Sequence, residues 1–111
     1  MNEVTLDDQL KMIQKSWLNI AKIKNPSKAV QLEAVRKSGW ALEFIKNPDR
    51  DIQLEAVRNI GYALKYIEEP DAELRMEAIR THGLAIKYID NPTEEEYEEV
   101  KRLYPELIEF L

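Results

Sequence analysis

Groups that titrate, attack or ligate are scarce in this chain, and those present are poorly placed for catalysis. The one histidine, His82, stands directly before Gly83. Equivalent positions in the repeat described below hold Ser38, Ile60 and Tyr104, a mixture that suits a helix end better than a general base or a ligand. Cysteine is absent, which excludes a disulfide framework, a cysteine-zinc site and a thiol nucleophile. No H-E-x-x-H, G-x-S-x-G or phosphate-cradling glycine loop occurs. Carboxylates are plentiful, but Glu94, Glu95, Glu96, Glu98 and Glu99 crowd what reads as a helix start. Acidic side chains there complement the helix dipole. The chain is therefore expected not to be an enzyme and to need neither metal nor cofactor.

What remains is recognition by charge and by aromatic surface. Arg36, Arg58 and Arg80 recur every 22 residues, with Arg102 as a fourth. Guanidinium groups in a line suit a phosphate backbone or an acidic strip on a partner, which makes these arginines candidate binding residues. Each also has a glutamate three residues earlier, at Glu33, Glu55, Glu77 and Glu99, on the same helix face. The favoured expectation is a Glu–Arg ladder that neutralises itself and sets register. Phe44, Tyr66, Tyr88 and Phe110 form an aromatic column. It is expected to lie mainly in the core, with its tyrosine hydroxyls at a groove edge.

These columns belong to one internal repeat. Pro26, Pro48, Pro70 and Pro92 are 22 residues apart, and so are Gly39, Gly61 and Gly83. Ile23, Ile45, Ile67, Ile89 and Leu111 follow the same step. Self-similarity at a short fixed period signals a repeat architecture. The units run over about 4–25, 26–47, 48–69, 70–91 and 92–111. The first and last are degenerate: Trp17 and Pro105 stand where the others have glycine. The chain reads as a complete array that forms a single repeat domain with little appended.

Each unit opens on proline followed by Ser27, Asp49, Asp71 or Thr93, all good helix N-caps. Thr93 with Glu96 makes a capping box. About eleven residues of helix formers follow, and the glycine is placed to take the left-handed position that ends a helix. The next stretch, Trp40 to Ile45, is apolar nearly all round and is read as a buried second helix of about seven residues. Asn47-Pro48 stops it, because the residue before proline is driven out of the right-handed helical region. So short a helix must be held by its neighbours. Stacked units give an all-α, two-layer α-solenoid of five 22-residue helix-turn-helix repeats with degenerate terminal caps. A leucine-rich repeat shares the period, but positions 40, 41, 42, 44 and 45 are all apolar, so the strand alternation it needs is missing.

The phrase Ala34-Val35-Arg36-Lys37-Ser38-Gly39-Trp40-Ala41-Leu42 returns as Ala56-Val57…Gly61-Tyr62-Ala63-Leu64 and as Ala78-Ile79…Gly83-Leu84-Ala85-Ile86. This A-V-x-x-x-G-x-A-L pattern resembles a short helical repeat of a domain of unknown function found in bacterial, phage and giant-virus proteins. The resemblance covers residues 26–91 well and the ends weakly. It implies a helical array and, through its phage-borne members, a host-factor antagonist. A weaker similarity is to leucine-rich variant repeats, which pair an α-helix with a 3₁₀ helix and would make the second helix tighter.

Charge is segregated along the chain. Residues 9–50 carry nine Lys/Arg against three Asp/Glu, whereas residues 51–111 carry seven against fifteen, within a net charge of −5. A solenoid maps sequence onto length, so one end is expected to be basic and the other acidic. Lys15, Lys22 and Lys24 are the candidate binding residues at the basic end. The polar Glu96 and Glu98, replacing apolar residues of earlier units, suggest that the acidic end is closed. No apolar run spans a membrane, and no basic-then-apolar leader opens the chain, so a cytoplasmic location is expected. The reading is a non-enzymatic protein–protein interaction module, of the kind a phage-type inhibitor of a host or defence protein would use. It would act as a monomer or through weak head-to-tail self-association. The alternatives are nucleic-acid binding through the basic first half, and acidic nucleic-acid mimicry by the second.

Overall fold

The structure, a computed structural model, describes residues 4–111. The leader-free reading of residues 1–3 lies outside them. Five α-helices alternate with five 3₁₀ helices, and no strand occurs among the described residues. The α-helices are α1 (Leu6–Lys15), α2 (Lys28–Lys37), α3 (Arg50–Asn59), α4 (Ala72–Thr81) and α5 (Glu94–Leu103). The 3₁₀ helices are η1 (Trp17–Lys22), η2 (Gly39–Phe44), η3 (Gly61–Tyr66), η4 (Gly83–Tyr88) and η5 (Pro105–Phe110). Each unit packs on the next, so the α-helices form one layer and the 3₁₀ helices the other. The resulting rod measures 57 × 23 × 16 Å, the solenoid the repeat implied.

The four α-helices from α2 to α5 start as the sequence indicates. Ser27, Asp49, Asp71 and Thr93 accept from the amides of Val30, Ile52, Leu74 and Glu96, and Thr5 does the same for α1. The helix ends differ from expectation. No glycine has a positive φ. Each α-helix of the first four units ends in one extended residue (Ser16, Ser38, Ile60 or His82), and the chain then enters a 3₁₀ helix at once. Glycine is needed there for room. A Cβ on Gly39 would lie 2.4 Å from the Ala56 carbonyl oxygen, and one on Gly61 would lie 2.3 Å from that of Ala78. The backbone of the following α-helix presses directly on the glycine. The left-handed residues are instead Asn25, Asn47, Glu69 and Asn91, each directly before proline, with φ of 50–54°. Proline drives its predecessor out of the right-handed region, and asparagine tolerates the left-handed alternative best.

The second element is a 3₁₀ helix of six residues, not an α-helix of seven. Three residues per turn put Gly39, Leu42 and the following Ile45 on one buried face, with Ala41 beside them. Trp40 is only half-buried and Phe44 is exposed. A period of three thus buries one face of a stretch that looked apolar all round. The core between the layers is built from Val30, Ala34, Val35, Ala41 and Leu42 and their equivalents in later units.

Candidate interaction surface

The arginines do form a ladder, but across repeats. Arg36 reaches Glu55 at 3.7 Å, Arg58 reaches Glu77 at 3.5 Å and Arg80 reaches Glu99 at 3.5 Å, each partner lying one unit ahead. Only Arg102 pairs within its own helix, with Glu99. Glu99 therefore receives two guanidinium groups, Arg102 foremost, and is held below the usual carboxylate range. A second ladder, which the sequence reading missed, runs along the other end of the α-layer. Lys28 pairs with Asp51 at 2.7 Å and Asp49 at 3.3 Å, and Arg50 pairs with Asp71 at 2.8 Å and with Glu73. Arg50, followed by the Leu74 amide, holds Asp71 below the usual range; Asp51 and then Asp49 push Lys28 up. The signal was available as charged residues 21 and 23 positions apart, one repeat give or take a residue.

The candidate binding residues do not form one site. Arg36, Arg58, Arg80 and Lys15 lie at the C-terminal ends of α-helices. Lys22 and Lys24 lie at and beyond the end of η1, where the chain turns into α2. A ten-residue helix, about 15 Å long, separates those edges of the α-layer. Lys15, Lys22 and Lys24 are exposed and form no ion pair among the described residues. His82 is structural: its Nδ1 accepts from the Gly61 amide at 2.9 Å, and its ring stacks on Tyr62 at 4.7 Å. Asn59 does the same for Gly39 at 2.7 Å, so polar side chains of one unit tie down the glycine turn of the preceding one.

The aromatic column is a surface stripe and not core. Phe44 is 41% exposed, Tyr88 44% and Phe110 58%. Tyr66 is half-buried and donates its hydroxyl to Glu43 at 3.2 Å. Trp40 stacks on Tyr62, and the Lys65 ammonium lies 5.2 Å from the centre of the Tyr66 ring. The fifth unit also departs from expectation. Glu96 is buried, at 3% exposure, where it completes the capping box and takes an ion pair from Arg75 at 2.6 Å. Glu98 is exposed, but so are Leu103, Ile108 and Phe110, so the acidic end is not a closed polar cap.

Open clefts lie at turns where a 3₁₀ helix gives way to the next α-helix. One, of about 750 Å³, lies between the first two units and includes Ile23, Lys24, Asn25, Phe44, Ile45 and Lys46. Another, of about 500 Å³, lies between the third and fourth and includes Ile67, Glu68, Glu69, Tyr88, Ile89 and Asp90. These sets match position for position at a separation of two repeats. The two clefts are thus related by the repeat, with Lys24 and Lys46 of the first replaced by Glu68 and Asp90 in the second, while Glu43 also lines the first and Arg75 the second.

An array of α/3₁₀ helix pairs stacked into a two-layer rod is a helical-repeat solenoid, and its surface is a set of side-chain columns one repeat apart. The family described as Domain of unknown function (DUF4116) matches residues 28–69 and again 49–92, and the chain belongs to it. No curated protein and no solved structure matches. Among the described residues no helix is long and apolar enough to cross a membrane.

Proposed function

We propose that this chain is a non-enzymatic protein-binding module that engages its partner along the 3₁₀ layer. The observation that carries the reading is the aromatic stripe of exposed Phe44 and Tyr88 with half-buried Tyr66 between them, presented at repeat spacing on a packed scaffold. Aromatic side chains supply large contact area at little conformational cost and concentrate in protein interfaces. The arginine ladder supports the same choice, because Arg36, Arg58 and Arg80 already face glutamates and are poorly disposed to track a phosphate backbone. A host or defence protein, inhibited by a phage-type array in the cytoplasm, is the specialisation that the resemblance to phage-borne repeats supports.

Capture from a lysate tests the reading. The tagged protein should retain a protein partner after nuclease treatment, and replacing Phe44 and Tyr88 by alanine should abolish retention while the helical circular-dichroism spectrum of the folded array is kept. Loss of the captured material on nuclease treatment would replace this reading with nucleic-acid binding through the basic half. Charge reversal at Lys22 and Lys24 should weaken capture most at low salt, where screening is least. The Arg58→Ala variant should lower stability slightly and leave capture intact, as expected for an exposed ladder rung.

A further inference from the structure

The two repeat-related clefts are part of a longer pattern. Lys24, Lys46, Glu68 and Asp90 stand at one position of four successive units. All four are exposed, at the turn where a 3₁₀ helix gives way to the next α-helix. Along the α-helix layer, repeat-related charges pair in ladders: Lys28 and Arg50 on one edge, Arg36, Arg58 and Arg80 on the other. In this column no residue forms an ion pair among the described residues, although Lys46 and Glu68 are neighbours of opposite sign. Two unpaired positive charges are thus followed by two unpaired negative ones along the edge where the 3₁₀ helices end. The aromatic residues Phe44 and Tyr88 border the same clefts.

We infer that this edge docks an extended, polyproline-II-type segment of a partner protein, carrying acidic residues at two successive third positions and basic residues at the next two. The inference rests on the protein-binding reading and names the chemistry of the bound segment. Charge complementarity sets the order of signs, since acidic groups oppose Lys24 and Lys46 and basic groups oppose Glu68 and Asp90. Pitch sets the spacing. Packed helices lie roughly 8–10 Å apart, so the column offers one charge at about that interval. A polyproline-II chain has three residues per turn and rises about 3.1 Å per residue, which returns the same face about every 9 Å. One turn of the ligand therefore matches one repeat of the rod. Aromatic-lined grooves favour this conformation because it is already extended and loses little entropy on binding. The apolar floors, Ile23 with Ile45 and Ile67 with Ile89, would take the intervening prolines. A nucleic-acid strand fits the first half of the column but meets like charge at Glu68 and Asp90.

The test uses the purified chain and short proline-rich peptides at low salt. The bipolar peptide has glutamate at its first and fourth positions and lysine at its seventh and tenth. Its comparators have glutamate at all four, lysine at all four, or the same four charges at every second position. The expected result is that the bipolar peptide binds at least about tenfold more tightly than each comparator, with the Lys24, Lys46, Glu68 and Asp90 amides shifting in its NMR spectrum. The variant Lys24→Glu with Lys46→Glu makes the column wholly acidic. It should transfer the preference to the all-lysine peptide, and Glu68→Lys with Asp90→Lys should transfer it to the all-glutamate one. All four side chains are exposed and unpaired, so these variants should melt with the parent. Equal binding of all peptides, a preference unmoved by either variant, or tighter binding of a single-stranded RNA oligonucleotide would overturn the inference. If a captured protein partner resists competition by the bipolar peptide and survives both variants, this inference fails while the protein-binding reading stands. If the captured material is instead lost on nuclease treatment, the protein-binding reading fails and this inference fails with it.

Discussion

Gly61 shows how a correct residue preference can have the wrong cause. A glycine after a helix suggests a left-handed cap, whereas here it makes room for the carbonyl of Ala78. The distinction is measurable. Gly61→Ala should destabilise by about 1–3 kcal/mol, the range for overpacking a close contact, because the obstacle is backbone. Gly83→Ala should cost less, since the nearest atoms belong to the Tyr104 and Leu107 side chains, which can move. Equal melting temperatures for the two variants would refute the argument. The left-handed strain sits at Glu69, alone among three asparagines at its position. A non-glycine residue held there costs roughly 1–2 kcal/mol, less for asparagine, whose short amide bonds locally. Glu69→Asn should therefore stabilise by about 0.5 kcal/mol or more in a thermal melt.

At the scale of elements, α5 is the exception that tests the packing rules. Its Glu96 occupies the place of Val30, Ile52 and Leu74, yet it is just as buried. Arg75 makes this tolerable, donating to Glu96 from a position where earlier units have Gln31 and Gln53. Breaking a buried pair strands the remaining charge, so Glu96→Ala should cost about 3 kcal/mol, including the lost capping-box bond to Thr93. Restoring the internal pattern with Arg75→Gln and Glu96→Leu together should recover most of that loss, because apolar replacement of a buried pair is often neutral or stabilising. A double variant as unstable as Glu96→Ala would argue against this account. Sequence identified the starts of α2 to α5, since a cap needs only a local side chain and a local amide. It misassigned Glu96, because burial of a carboxylate depends on an arginine in the preceding unit.

For the whole rod, acid is the informative perturbation. Asp49, Asp71 and Glu99 are all held below the usual carboxylate range: Asp49 first by the Ile52 amide, Asp71 first by Arg50 and Glu99 first by Arg102. A folded value below the unfolded one, about 4, means stability that is present above pH ~4 and lost as pH falls through the folded values. The melting temperature should hold between pH 7 and about 5 and then fall below about 4. Asp71→Asn, which removes one of these groups, should flatten the fall. Lys28 has the opposite sign. Its raised value gives a contribution present at neutral pH and lost only in strong alkali, above about 10.

Sequence by itself determined what is periodic and local: the repeat, the number of units, the caps, the all-α class and the expectation of two layers. These follow from residue type and spacing along the chain. Tertiary structure decided what depends on the approach of one unit to the next. It made the second helix 3₁₀, so that Phe44 and Tyr88 reach the surface while Leu42 and Ile45 stay inside. It sent Arg36, Arg58 and Arg80 forward to glutamates of the following unit rather than back along their own helices. It also aligned Lys24, Lys46, Glu68 and Asp90 on one edge without partners. The physical reason is common to all three: side-chain direction and inter-helix distance are set by the packing of one unit on the next, which no single unit contains.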